Sequence, residues 1–239
     1  MNTAILNTLY LAGAFLLLFA FAELLYHRFK IKAEWTRKLV HFGTGLLTLL
    51  FPLMLDNHWL VLLLCASFAA ILLVSLKWKL LPSINAIERQ SHGSISYPAA
   101  VFVCYCFYEW YREQSFCRES GYLAFYIPIL ILAICDPLAA LFGKRWPYGK
   151  YKSGKEYKSI LGSSVFFLSA FLLSITLLSL TNTAGNSFFQ LALAASCMAL
   201  ITCLAEGMSR KGLDNLLIPI AAMGTLIVVS RYLFLHAYV

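Results

Sequence analysis

The chain has 239 residues, of which 61% are hydrophobic and 13% charged, and its mean hydropathy is +0.75. These values exclude an ordinary soluble domain and are typical of a protein with several transmembrane helices. The net charge is +8. Basic loops of membrane proteins usually reflect the orientation of the protein in the membrane and contact with anionic lipids. The chain carries no nucleic-acid-binding motif, so nucleic acid is not an expected partner.

Eight apolar stretches are long enough to cross a bilayer. They fall near 4–26, 39–55, 59–76, 95–111, 122–142, 160–180, 188–205 and 214–235. Because the runs are continuously apolar rather than alternating, they predict helices and not a β-barrel. The predicted fold class is all-α: a polytopic membrane bundle of about eight helices in a single domain, 1–239, since neither an internal repeat nor a low-complexity linker divides the chain.

The first stretch and the cysteines both imitate features of secreted proteins. Ala20-Phe21-Ala22 resembles a signal-peptidase site, but no basic region precedes the run and the run is long for a signal peptide, which predicts a retained helix. Six of the seven cysteines sit in apolar runs and Cys117 falls in a polar loop, without CxxC or Cys/His metal spacing. We expect small core residues in a reduced protein.

Basic residues are concentrated in alternate loops. Sixteen of the 19 lie in segments 27–38, 77–92, 143–158 and 206–213. The opposite side carries Arg112, Arg118 and Arg231. The positive-inside rule therefore predicts that the basic loops are cytoplasmic and that both termini lie outside.

The fifth apolar stretch contains one acid, Asp136, followed by Pro137. A carboxylate in a spanning segment is costly, so such groups usually face a bundle interior or a polar cavity. Six cations follow it: Lys144, Arg145, Lys150, Lys152, Lys155 and Lys158. A buried acid beside mobile cations suits a magnesium-bound polyphosphate. The alternative is an acid paired with one lysine, followed by an ordinary positive-inside loop.

The segment after this acid is glycine-rich without being a P-loop. Residues 149–156 come close to that motif, but Glu156 replaces the Ser or Thr that would bind magnesium, and no buried strand precedes it. The next segment, 158–164, holds serines and Gly162 at the start of a helix. It is a candidate anion site, or a set of ordinary capping and packing residues.

Three further polar clusters lie on the same, predicted cytoplasmic side of the membrane as the cations that follow Asp136. Arg37 and His41 share a helix face at a helix N-terminus, where cations are unfavourable unless an anion is present; the alternative is interfacial anchoring. Segment 91–98 is a turn-rich start of the fourth helix, for which capping is the simpler reading. Glu206 lies at the C-terminus of the seventh helix, where the helix dipole disfavours an acid and a nearby cation or metal would relieve this effect. Asp214 either caps the eighth helix or contributes to the site.

In this order the clusters resemble the family of CTP-dependent lipid-alcohol kinases, which contains phytol kinase, dolichol kinase and the CTP-using diacylglycerol kinase. The matching residues are Arg37-Lys38-x-x-His41, Tyr97-Pro98, Asp136-Pro-x-Ala139-x-x-x-Gly143-Lys144, Lys158-Ser159-x-x-Gly162-Ser163, Glu206, and Asp214-Asn215-Leu216 followed by Pro219. The likeness runs from about residue 37 to 220. It implies transfer of the CTP γ-phosphate to a membrane alcohol with a divalent ion such as Mg²⁺.

The resemblance also implies roles for individual residues. Asp136 binds magnesium or orients the hydroxyl, and Asp214 or Glu206 supplies a second acidic contact, with Asp136 and Asp214 as the metal ligands. The expected nucleotide- and phosphate-binding residues are Arg37, Lys38, His41, Gly143, Lys144, Arg145, Lys155, Lys158, Ser159, Gly162, Ser163 and Asn215. Many cations and few nucleophiles is the inventory that phosphoryl transfer requires.

Other functions stay open at this point. The CDP-diacylglycerol synthase family also uses CTP and has a similar acid-then-Gly-Lys stretch, but its long C-terminal signature is missing here. An anion transporter would account for Asp136 beside Pro137, yet the far halves of the helices carry little polarity. A scaffold role leaves Asp136 without an explanation. Phytol, a longer polyprenol and diacylglycerol are all candidate acceptors, because each has a hydroxyl on an apolar tail.

Overall fold

The structure is a computed structural model that describes residues 3–86, 93–114, 121–153, 156–182 and 185–233. Its helices are α1 (Thr3–Arg28), α2 (Ala33–Thr48), α3 (Phe51–Met54), α4 (His58–Lys77), α5 (Pro82–Asn85), α6 (Gly93–Glu113), α7 (Leu123–Leu130), α8 (Asp136–Arg145), α9 (Ile160–Leu180), α10 (Phe188–Met208) and α11 (Asp214–Tyr232). A π-helical segment, Ile131–Cys135, joins α7 to α8. Two short strands, β1 (Lys150–Ser153) and β2 (Glu156–Ser159), precede α9.

The predicted helical membrane bundle is confirmed. Within the described ranges, six helices are long and apolar enough to cross a membrane: α1, α4, the continuous α7–α8 rod, α9, α10 and α11. The second and fourth predicted spans correspond to α2, which has 16 residues, and to α6, whose 21 residues include many polar aromatics. The count of eight stays a prediction.

The second span differs from its predicted bounds of 39–55. The helix begins earlier, at Ala33, and ends at Thr48, and the short helix α3 begins at Phe51. Pro52 gives the reason, because it has no amide to donate to the carbonyl of Thr48, four residues earlier. Hydropathy registers the apolar run but not this interruption within it.

The loop predicted over 143–158 contains a hairpin that the sequence did not predict. Strands β1 and β2 pair antiparallel, with Lys150 opposite Ser159 and Ser153 opposite Glu156. Gly149 precedes β1 with a φ of +65°, a conformation that favours glycine. The hairpin carries Lys158 and Ser159 back to the start of α9. The predicted phosphate ligand Lys155 lies outside the described residues.

The α7–α8 rod is the centre of the bundle. Of its most apolar window, 56% is buried, against 22% for α1 and for α9. It packs against α6, α9, α11 and α2, while α9, α10 and α11 pack side by side and α1 packs on α2. Asp136, in this rod, is therefore surrounded by other helices.

The π-helical segment ends at the point where proline changes the backbone. In π-type bonding the amide of each residue bonds the carbonyl five residues earlier, so the missing amide of Pro137 leaves the carbonyl of Leu132 without its donor. The side chain of His41 lies on that carbonyl, with Nε2 at 3.0 Å from the Leu132 oxygen. Asp136, the first residue of α8, follows this segment directly.

Glycines allow the helices around Asp136 to approach closely. A Cβ on Gly45 of α2 would overlap the Cβ of Ala133 in the π-helical segment. A Cβ on Gly143 of α8 would lie 2.8 Å from Ser159 Oγ, and one on Gly162 of α9 would lie 3.1 Å from the carbonyl oxygen of Ala139. Close backbone contact thus brings α2 against the rod just before Asp136 and α9 against it just after.

Candidate active site

A polar cavity of about 360 Å³ opens beside Asp136, where α2, α8, α9, the hairpin and the α10–α11 connection meet. Among the predicted site residues, the following line it: Arg37, Lys38, His41, Asp136, Gly143, Lys144, Lys158, Ser159, Gly162, Ser163, Glu206, Asp214 and Asn215. Arg145 is exposed at the end of α8 and is not part of the walls. Residues that are far apart in sequence are therefore gathered at one place.

Asp136 faces polar groups from two other helices. Its side chain is 19% exposed, and its Oδ2 lies 4.0 Å from His41 Nε2. Lys38, one helical turn before His41, donates to the carbonyl oxygen of Pro137 at 3.4 Å. Asp214 lines the same cavity as Asp136. The acid thus shares its cavity with a lysine, a histidine and a second carboxylate.

His41 is held in one orientation. Its Nε2 must carry the hydrogen, because the Leu132 oxygen 3.0 Å away can only accept. The hydroxyl of Tyr97 donates to the backbone oxygen of His41 at 3.1 Å, and the two rings meet edge to face with centroids 4.7 Å apart. Tyr97, matched by the family resemblance, therefore acts on the site through His41.

Lys158 and Glu206 form a largely buried ion pair. The Lys158 Nζ lies 2.6 Å from Glu206 Oε1, and the two side chains are 15% and 11% exposed. Lys158 also donates to the Glu206 carbonyl oxygen and, at 3.3 Å, to Ser209 Oγ. The predicted cation that relieves Glu206 at the end of α10 is thus Lys158. The pair ties the hairpin to α10 and places Lys158 in the cavity wall.

A second ion pair, between Lys144 and Glu34, lies at the rim of the cavity. Glu34 precedes the predicted span 39–55. Partial burial acts to raise the pKa of its carboxyl, but Lys144, Lys38 and Arg37 outweigh burial and lower that pKa. Glu34 was not among the predicted site residues, although its position one helical turn before Arg37 and Lys38 puts it on the same face.

Ser159, Gly162 and Ser163 are engaged in local structure. Ser159 is the N-cap of α9, and its Oγ accepts from the Gly162 amide at 3.1 Å. Ser163 Oγ lies 2.8 Å from the Tyr151 hydroxyl. Both alternatives raised for this segment are therefore compatible with the structure, since capping residues at a helix N-terminus also border the cavity.

The carboxylates of Asp136 and Asp214 fit a magnesium site completed by a substrate. In the described part of the chain, no group of three or more His, Cys, Asp or Glu side chains converges as a metal cage. Magnesium usually takes one or two carboxylates together with substrate phosphates, so Asp136 and Asp214 are the residues of this cavity that could hold one. Asp214 also accepts from the Asn215 amide at 3.1 Å at the start of α11.

A second cavity of about 470 Å³ adjoins the first and is mainly apolar. Its walls come from α1 to α6, with Asn215 of α11, and include Phe15, Phe51, Leu64, Phe68, Leu72 and Val101. Three residues, Arg37, His41 and Asn215, line both cavities. The charged space and the apolar space therefore meet at these side chains.

Comparison with known proteins supports the family resemblance. The chain is 29% identical over 207 residues to the phytol kinase of Synechocystis sp. (strain ATCC 27184 / PCC 6803 / Kazusa), a match covering 84% of this chain and 82% of that protein. No protein-family model matches the chain, and no solved structure matches it. The resemblance to the lipid-alcohol kinases read from the motifs is confirmed by this relative.

Proposed function

We propose that this chain, which is similar to a phytol kinase over most of its length, transfers the γ-phosphate of a nucleoside triphosphate to the hydroxyl of a membrane lipid alcohol. The observation that carries the proposal is the polar cavity, in which Arg37, Lys38 and Lys158 face Asp136 and Asp214. The family resemblance makes CTP the expected donor. The relative makes phytol the first acceptor to test.

The reaction needs positioning and charge stabilisation rather than a covalent intermediate. The acceptor oxygen attacks the γ-phosphorus, the bond from that phosphorus to the β–γ bridging oxygen breaks, and the nucleoside diphosphate leaves with the electron pair. The hydroxyl proton must go to a base. Asp136 lies in the cavity wall, where its carboxylate either accepts this proton or binds the metal together with Asp214.

The cations of the cavity would bind the triphosphate. Arg37 and Lys38 come from α2 and Lys158 comes from β2, and Lys158 would exchange one of its three present acceptors for a phosphate oxygen. Because Glu206 is already bonded to Lys158, we assign Glu206 to the positioning of that lysine, and we assign the second acidic contact to Asp214. A magnesium ion bound by Asp136, Asp214 and phosphate oxygens would neutralise charge that develops on the phosphates.

The test is phosphate transfer by the purified protein in micelles. The protein is incubated with γ-labelled CTP or ATP and with phytol, a longer polyprenol or diacylglycerol, with and without Mg²⁺. We expect magnesium-dependent label from CTP in the extracted lipid, and the labelled lipid names the acceptor.

Two outcomes would contradict the kinase. Release of pyrophosphate from CTP and phosphatidic acid, with no labelled alcohol, would identify a cytidylyltransferase instead. If neither reaction occurs, the proposal fails and anion transport becomes the function to assay.

A further inference from the structure

The apolar cavity is elongated along the helices. On α2 its walls extend from Arg37 to Thr48, and on α4 from Leu64 to Leu76. At the α-helical rise these intervals correspond to about 16 and about 18 Å. The Arg37 end meets the polar cavity, whereas Phe51 and Val101 surround the other end, with exposures of 1% and 2%. The cavity is thus polar at one end and apolar at the other.

Filling a cavity with these walls by hydrocarbon would be energetically favourable. Protein interiors are packed to the density of organic crystals, and side chains that line an empty space lose their dispersion contacts. Among the helices that border it, α1 packs on α2 and α4 packs on α6, and α1 also meets α4 where the ring centroids of Phe15 and Phe68 lie 4.9 Å apart. The space beside these two rings, lined also by Leu72 and Val101, suits a hydrocarbon chain.

We infer that this cavity holds the tail of the acceptor alcohol, with its hydroxyl at the boundary formed by Arg37, His41 and Asn215. This inference rests on the proposed kinase function and adds the place of the acceptor. A hydroxyl at the boundary faces the polar cavity, where His41 Nε2 lies 4.0 Å from the Asp136 carboxylate. The tail then extends away from the phosphates, towards Phe51.

The length of the cavity limits the length of the chain that it can hold. A fully extended polypeptide advances ~3.5 Å over the three backbone bonds of each residue, which is ~1.2 Å per bond. A hydrocarbon chain that extends by the same amount per bond fills a cavity of about 16 to 18 Å with roughly 13 to 15 bonds. A longer polyprenol must leave its distal part in the bilayer, and a two-chain glycerolipid must leave out one chain. The hydrophobic effect contributes little to this selection, because the tail moves from one hydrocarbon environment to another.

The first experiment shortens the cavity at its apolar end. Cys65 is buried in this wall, so Cys65→Phe should fill the space near Leu64 without touching the polar cavity. We expect kcat/KM for a 16-carbon alcohol to fall roughly tenfold or more. Turnover of a six-carbon alcohol and the KM for CTP should not change. Cys106→Phe, outside both cavities, is the matched control.

Two further measurements keep the inference testable if Cys65→Phe does not fold. Leu64→Ala lengthens the cavity and should raise the activity ratio of longer over 16-carbon alcohols. A single-chain 16-carbon alcohol with a terminal diazirine should label peptides of α2 or α4 in the wild type. Phytol should compete with this labelling.

The outcomes separate this inference from the proposed function. An active kinase whose label maps to other helices, or whose Cys65→Phe variant loses long and short acceptors equally, overturns the tail site alone. Labelling of α2 or α4 that phytol does not displace shows non-specific contact from the bilayer and also overturns it. A wild type that phosphorylates no alcohol overturns the kinase, whatever the labelling pattern.

Discussion

The two adjoining cavities differ in what their walls are made of and in how the sequence shows them. Carboxylates, lysines and helix N-termini line the polar cavity, while aromatic and aliphatic side chains line the apolar one. Charged residues stand out in a membrane protein, because each is costly unless it is partnered or functional. Apolar walls look like any other apolar helix face. The first cavity was therefore predictable by its residues, and the second was not.

Replacing Asp136 with Asn should have the largest effect, because it removes the chemistry of the polar cavity and leaves the apolar cavity intact. We expect turnover to fall roughly 10²–10⁴-fold, the range for loss of an acid–base group. Helical content and elution in detergent should match the wild type. Asp56→Asn changes an exposed acid elsewhere and is the control. Near-normal turnover of Asp136→Asn would exclude a role for this acid.

Variants of the Lys158–Glu206 pair can separate the proposed role of Lys158 in phosphate binding from its role in protein stability. Removing one partner of a buried pair is expected to cost roughly 3–5 kcal/mol of unfolding free energy, since the other charge is left unpaired. Lys158→Met and Glu206→Met should each lower the thermal stability in detergent. The double variant should recover stability but not turnover. Recovery of both would show that Lys158 has a structural role alone.

His41 lies at the boundary between the cavities, and its variants test how much its hydrogen bond to the Leu132 carbonyl oxygen contributes to stability. His41→Phe leaves the Leu132 carbonyl oxygen without its side-chain donor, and we expect a loss of about 1–3 kcal/mol. His41→Gln keeps a donor and should be more stable than His41→Phe. Thermal unfolding of the two variants side by side gives the measurement. Equal losses would mean that this hydrogen bond does not set the position of α2.

The rim pair of Glu34 and Lys144 should have the smallest effect. Exposed ion pairs contribute about 0.2–1 kcal/mol, so Glu34→Gln should lower stability only slightly. Because the pKa of Glu34 is lowered from 4.5, the pair stabilises the protein fully above that pH and its contribution is lost as pH falls through the lowered value. The difference in melting temperature between variant and wild type should vanish in acid. A difference that persists there would mean that the charge of Glu34 is not responsible.

The sequence predicted the membrane bundle and the residues of the polar cavity for the same physical reason. Long apolar runs cannot remain in water, and charged groups near them require partners or ligands. Asp136, Lys158 and Asp214, far apart in the chain, were grouped by this reasoning and by family resemblance, and the structure brings them to one cavity. Arg145 is the exception, because its direction at the end of α8 depends on where that helix stops.

The sequence by itself determined that this is a helical membrane protein with an acid and many cations at one end of its bundle, because composition and hydropathy decide which groups can enter a bilayer. Only the tertiary structure decided which cation pairs with which acid. Lys158 pairs with Glu206, and Lys144 pairs with Glu34. It also decided that His41 replaces the donor missing at Pro137, and that an apolar cavity lies beside the charged one. These features depend on contacts between helices that are distant in sequence, and such contacts are set by packing rather than by any local pattern.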